Sequence, residues 1–217
     1  MAEEMTRREF VRAAALVVGS AALVSVTGCS PKAEEQKAAV GTPSARFGRD
    51  EDVSKRVLVG YATRTGSTVG VAQAIGETLG KRGFAVDVKP LKERPSLEGY
   101  DACVVGSAIN GGQWLPEALA FVQSNRAALG TVPTALFCVH IMNAGDDPKA
   151  RRKRAAYLDK VRELVKPSDE GFFLGKGPTA GDTSLIARWA FRAFGGAGEG
   201  DCRDWERIRG WAEQARV

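Results

Sequence analysis

Four of the six residues in Thr63-Arg64-Thr65-Gly66-Ser67-Thr68 carry hydroxyls. They follow a short β-branched run, Arg56-Val57-Leu58-Val59-Gly60-Tyr61, and precede a segment of helical spacing. A turn in that position aims backbone N–H groups and the positive end of a helix at one spot, which suits a phosphate. The hydroxyls of Thr63, Thr65 or Ser67, and Thr68 add further donors, and Gly66 permits a tight turn and close approach of a ligand. The lysine of a triphosphate-hydrolysing loop is missing, and so is GxGxxG, which argues against a dinucleotide. Taken alone, the same residues also suit a Ser/Thr helix cap with no ligand.

Other groups with chemical potential are few. The single histidine, His140, excludes any mechanism that needs two. It ends an apolar run and serves either beside a ligand or as a polar loop residue bonded to backbone. Cys29, Cys103, Cys138 and Cys202 form no CxxC pair, which disfavours structural zinc. Cys103 and Cys138 lie in apolar runs and read as buried small hydrophobes. Lys149, Arg151, Arg152, Lys153 and Arg154 form a basic block that reads as a solvated face or a contact for anionic lipid or an acidic partner. Phe172-Phe173 and the Trp189, Phe191, Phe194 group read as core, or as an apolar surface for a flat organic molecule.

The elements that must position these groups follow from periodicity. Val71, Ile75 and Leu79 recur at four-residue spacing, which predicts a helix over Ser67–Lys81, ended by Gly83. Strands are predicted at 84–88, 101–106, 134–140 and 171–175, with helices from Pro116, from Pro148 to about Val165, and over 204–214. Strands alternating with helices imply an α/β fold: a doubly wound, five-stranded parallel sheet with helices on both faces and its ligand at the strand carboxyl ends.

The N-terminus reads as an address. Arg7-Arg8 precede an apolar run from Ala13 to Val26, too short to span a bilayer. The motif resembles a twin-arginine export signal, and Val26-Thr27-Gly28-Cys29 resembles a lipobox whose cysteine is lipid-modified. A plain N-terminal membrane anchor is the alternative. Residues 1–29 are therefore assigned to the signal, 30–53 to a flexible linker and 54–217 to the folded domain. Removing residues 1–28 takes three arginines and three glutamates, so the net charge of +5 is unchanged. That charge, at pI 9.1, is mild and not the footprint of a nucleic-acid binder.

The T-x-T-G-S-T loop resembles the phosphate loop of flavodoxins. The run from Gly106 to Ala118, with Phe194-Gly195-Gly196 and Arg203-Asp204-Trp205-Glu206, resembles the flavodoxin-domain proteins related to the menaquinone-dependent protoporphyrinogen oxidase. The resemblance covers about Val57 to the C-terminus. It implies FMN as cofactor, with Thr63, Arg64, Thr65, Gly66, Ser67 and Thr68 on the phosphate. Ser107, Ala108, Ile109, Asn110, Gly111 and Gly112 would wrap one side of the isoalloxazine, and the loop holding His140 and Asn143 the other. Asn110 stands where many relatives carry an aromatic; it hydrogen-bonds but does not stack, and Trp114 is either its substitute or an aromatic packed on the domain edge. The expectation is an exported, lipid-anchored electron-transfer protein or oxidoreductase at the outer face of the cytoplasmic membrane. Its partner would be a redox protein, a membrane quinone or a tetrapyrrole. The alternatives are a flavodoxin-type carrier without a small substrate and a flavin-free binding module.

Overall fold

A computed structural model describes residues 40–48, 55–179, 181 and 184–217. The segment expected to be an export signal with its Cys29, and residues 30–39 and 49–53 of the expected linker, lie outside the described residues. The sheet contains β1 (Ala45–Phe47), β2 (Arg56–Ala62), β3 (Ala85–Pro90), β4 (Ala102–Asn110), β5 (Gln113–Trp114), β6 (Thr134–His140) and β7 (Asp169–Leu174). Its order is β1-β3-β2-β4-β6-β7, with β5 paired to β4 alone. Five strands, β3-β2-β4-β6-β7, are parallel throughout, as the alternating pattern requires.

Helices cover both faces. On one side α1 (Ser67–Lys81) and α7 (Trp205–Gln214) bury Val71, Ile75, Leu79, Ile208 and Ala212 against Val57, Val59, Val104 and Phe137. On the other, α2 (Pro116–Ser124), α3 (Arg126–Leu129) and, after α4 (Pro148–Ala155) in the chain, α5 (Asp159–Arg162) with Tyr157 and Leu158 overlie Leu58, Cys103, Val105, Leu136 and Cys138. Side chains alternate across each strand, so the continuous apolar runs feed both cores at once. Gly106 is required by a close approach: a Cβ there would sit 2.0 Å from Cζ of Phe137. A further helix, α6, spans Leu185–Ala193.

Three expectations are corrected. The linker composition predicted no regular structure over 30–53, yet Ala45–Phe47 pairs antiparallel with β3. Phe47 fits there because Gly76 and Gly80 of α1 lack side chains; a Cβ on either would come within 3.0 Å of it. Arg46 bonds Asp87 at 2.9 Å and Tyr61 donates to the carbonyl of Pro43 at 2.8 Å. The sheet thus exceeds the five parallel strands by two short antiparallel ones. The helix expected from Pro148 to Val165 divides at a 3₁₀ turn, Ala156–Leu158, where Tyr157 and Leu158 are both buried.

Candidate functional site

The phosphate-loop residues occupy the carboxyl end of β2 and the first turn of α1. Gly66 is the N-cap and adopts φ 86°, the left-handed region that glycine reaches without penalty. Its N–H donates to Thr63 Oγ1 at 3.0 Å, which closes the turn. No side chain caps the helix and no acidic residue stands in its first turn; Val69 N donates to the Gly66 carbonyl, so the N–H groups of Ser67 and Thr68 remain open and the positive end uncompensated. The Ser/Thr capping alternative therefore fails at this helix: the Thr63 hydroxyl closes the turn and leaves α1 uncapped. Arg64 and Thr65 are exposed, whereas Ser67 and Thr68 are buried.

Thr68 Oγ1 is buried without a hydrogen-bond partner. An unsatisfied buried hydroxyl costs about 1–3 kcal/mol. Such an atom beside an open helix N-terminus fits an oxyanion that is absent from the protein alone. Two neighbours escaped sequence reasoning. Val40 lies over the turn, with Cγ1 3.3 Å from where a Cβ on Gly66 would be. Arg203 stacks on Trp205, 4.4 Å from its ring centroid, and its Nη1 lies 3.4 Å from the Ser67 carbonyl. Arg203 was visible only as part of a tail motif, and no periodicity connects it to α1.

The second loop is a hairpin. Beyond Ser107, Ala108 and Ile109 are half-buried and Asn110, Gly111 and Gly112 are exposed. Both glycines have positive φ, 58° and 79°, which the turn back into β5 requires. Ser107 is fully buried, and its hydroxyl is used locally: it accepts from Leu115 N at 2.9 Å and donates to the Ala108 carbonyl. Trp114 is 3% exposed and belongs to the core beneath the hairpin, so its packing role prevails over stacking on a ligand.

The third loop follows β6. His140 is buried and its ring lies 5.7 Å from that of Tyr157. His140 Nδ1 sits 2.8 Å from the Met142 carbonyl, an acceptor only, so the ring proton is on Nδ1 and Nε2 is the free acceptor. Burial pushes the His140 pKa down to about 4, against the pull of the Met142 carbonyl. The ring is neutral near pH 7, with Nε2 as its acceptor. Asn143 holds φ 59° and donates from Nδ2 to Tyr157 at 2.6 Å.

Arg154 corrects the solvated basic block. It is buried, and Nη1 donates to the carbonyls of Asn143 and Gly145 while Nη2 meets Asp146 at 3.1 Å. The remaining cations sit on a helix capped by Asp147, whose carboxylate accepts from Lys149 N and Ala150 N. Because that helix ends at Ala155, Arg152, Lys153 and Arg154 stand in its last turn, where the dipole favours them. His140, Arg154, Phe172, Phe173, Asp204 and Arg207 line a cavity of about 140 Å³ at this end of the sheet. Among the described residues no cluster of three or more His, Cys, Asp or Glu is placed to hold a metal, and Cys103, Cys138 and Cys202 are free thiols. No helix among them is long and apolar enough to cross a membrane.

All three predicted loops meet at the carboxyl edge of the parallel sheet, after β2, β4 and β6. A family model described as Flavodoxin domain matches residues 58–179, more than half of the chain. No curated protein matches it. Similar solved structures include a flavodoxin from the domain Archaea, 18% identical, covering 74% of this chain and 95% of that one with a TM-score of 0.45. Another is the Fusobacterium nucleatum flavodoxin bound to flavin mononucleotide, 14% identical over 74% of this chain and 96% of that one, TM-score 0.46.

Proposed function

Since the chain belongs to the flavodoxin-domain family, we propose that it binds FMN and works in electron transfer. The observation that carries this reading is the buried, unpartnered Thr68 Oγ1 beside the uncapped N-terminus of α1. The loop Thr63–Thr68 holds the phosphate, with open N–H groups, hydroxyls and the exposed cation of Arg64. The hairpin from Ser107 to Gly112 and the loop from His140 to Asn143 border the ring. Bound flavin supplies the one- and two-electron chemistry. The chain's part is to bind and orient it: the Ser107–Leu115 bond fixes the base of the hairpin, and Arg154 fixes the loop beyond β6.

The acceptor or donor is a membrane quinone, a tetrapyrrole or a redox protein, and the molecule is held at the outer face of the cytoplasmic membrane through Cys29. The Arg7-Arg8 pair, the short apolar run and the Val26–Cys29 segment support that placement. Export of an already folded chain would let FMN settle on the loop before the protein leaves the cytoplasm.

The test is a visible spectrum of the purified full chain, before and after added FMN. Flavin bands at stoichiometric occupancy support the proposal, and their absence after FMN addition defeats it. Steady-state assays with quinols and porphyrinogens then separate an oxidoreductase from a carrier. For the anchor, Cys29→Ala is expected to leave the membrane fraction; a processed chain that stays there refutes lipidation.

A further inference from the structure

The helix α6 presents an apolar face that packs on nothing among the described residues. Leu185, Trp189 and Phe194 are 76%, 74% and 72% exposed. Leu185 and Trp189 are four residues apart and share a face, and exposed Arg192 falls three residues further along it. Other side chains of α6 are docked: Phe191 lies over Gly196, where a Cβ would come within 2.3 Å of its ring, and Arg188 pairs with Glu199. The outward face is therefore built and held in place.

Its location matters as much as its composition. Gly195 accepts from Ala144 N, Gly196 bridges Met142, and Ala197 N donates to the Ile141 carbonyl. The end of α6 is thus joined to the loop after β6, at the carboxyl edge. Four residues past Ala144 that loop enters α4, where Lys149, Arg151, Arg152 and Lys153 are exposed. Val40 also lies at this edge, against Gly66. Aromatic and aliphatic side chains, arginine and lysine, and Val40 all share one edge.

We propose that α6 docks into the headgroup layer of an anionic lipid bilayer, inserting Leu185, Trp189 and Phe194, with Arg192 and the Lys149–Lys153 block against the lipid phosphates. A short helix with Leu and Trp on one face, an exposed Phe just past its end and basic residues beside it suits the interfacial plane. Tryptophan's amphipathic ring favours that depth. The inference rests on the membrane-side placement proposed above and adds an orientation, with the carboxyl edge toward the lipid.

The full chain, loaded with FMN, is mixed with vesicles of phosphatidylcholine and phosphatidylglycerol, with and without bromine on the acyl chains. Brominated lipid is expected to quench part of the tryptophan emission. Trp189→Phe is expected to abolish that part, and Leu185→Ser with Phe194→Ser to at least halve it. Equal quenching in wild type and Trp189→Phe overturns the proposal. So does absence of quenching while the chain still floats with the vesicles. Dimer sedimentation that Trp189→Phe abolishes, with no lipid quenching, assigns the face to a second copy and also overturns it. Flavin absorbance on the same samples keeps the readings apart: retained flavin without quenching defeats this inference alone, and quenching without flavin defeats the cofactor proposal alone.

Discussion

The indole of Trp114 donates from Nε1 to Sγ of Cys138 across 3.2 Å. This contact ties the β4–β5 hairpin to β6, and so joins the two loops proposed to border the ring. Burial pushes the Cys138 thiol up to about 12 despite the opposing indole hydrogen bond. Burial alone does the same to Cys103. Trp114→Phe is expected to lower stability by about 2 kcal/mol through the lost bond and lost apolar contact. Chemical denaturation measures the change. Alkylation of Cys103 and Cys138 at neutral pH should proceed only at the rate of unfolding.

Thr68→Val tests the phosphate site with two readouts of opposite sign. The variant removes a buried unsatisfied hydroxyl and keeps the shape. The FMN-free chain is expected to gain about 1 kcal/mol, while FMN affinity falls about tenfold. Thermal melts without FMN and a flavin titration measure the two. Unchanged affinity with lowered stability would mean that Thr68 serves only the fold.

The fold was legible wherever both neighbours of a strand were apolar. Val57, Val59 and Tyr61 alternate with Leu58 and Ala62 into two cores, and continuous runs of this kind identify a parallel interior. The phosphate loop was legible because its chemistry is local, from Thr63 to Thr68. β1 was not, because three residues held by Arg46–Asp87 and by Phe47 over two glycines leave no periodic trace. Arg154 was hidden for a related reason. Five cations crowd Lys149–Arg154, and only tertiary structure shows which one turns inward to the carbonyls of Asn143 and Gly145.

His140 predicts a pH dependence. Its folded pKa lies below the unfolded value of 6.5, at about 4, so between those values the unfolded chain binds more protons. The stability it contributes is fully present above pH 6.5 and is lost as pH falls toward 4, by about 3 kcal/mol. His140→Gln is expected to flatten this part of the profile. Denaturant midpoints at pH 4.5, 5.5 and 7 check it.

Arg154→Met leaves two loop carbonyls without their charged donor. A loss of about 2–3 kcal/mol is expected. Amide exchange over residues 143–146 should quicken, and FMN affinity should weaken with it. Hydrogen-exchange mass spectrometry reads the first effect.

The pairing of Ala45–Phe47 with β3 gives the N-terminal segment a mechanical character. β1 runs away from the carboxyl edge, so tension applied upstream of Val40 along the strand axis loads its few hydrogen bonds in shear. Arg46–Asp87 and the Tyr61–Pro43 bond share that load. Val40, which rests on Gly66, is the first contact among the described residues that a pull disturbs. Among the described residues, drag from the proposed anchor is therefore felt first at the turn of the Thr63–Thr68 loop, and only afterwards by the sheet.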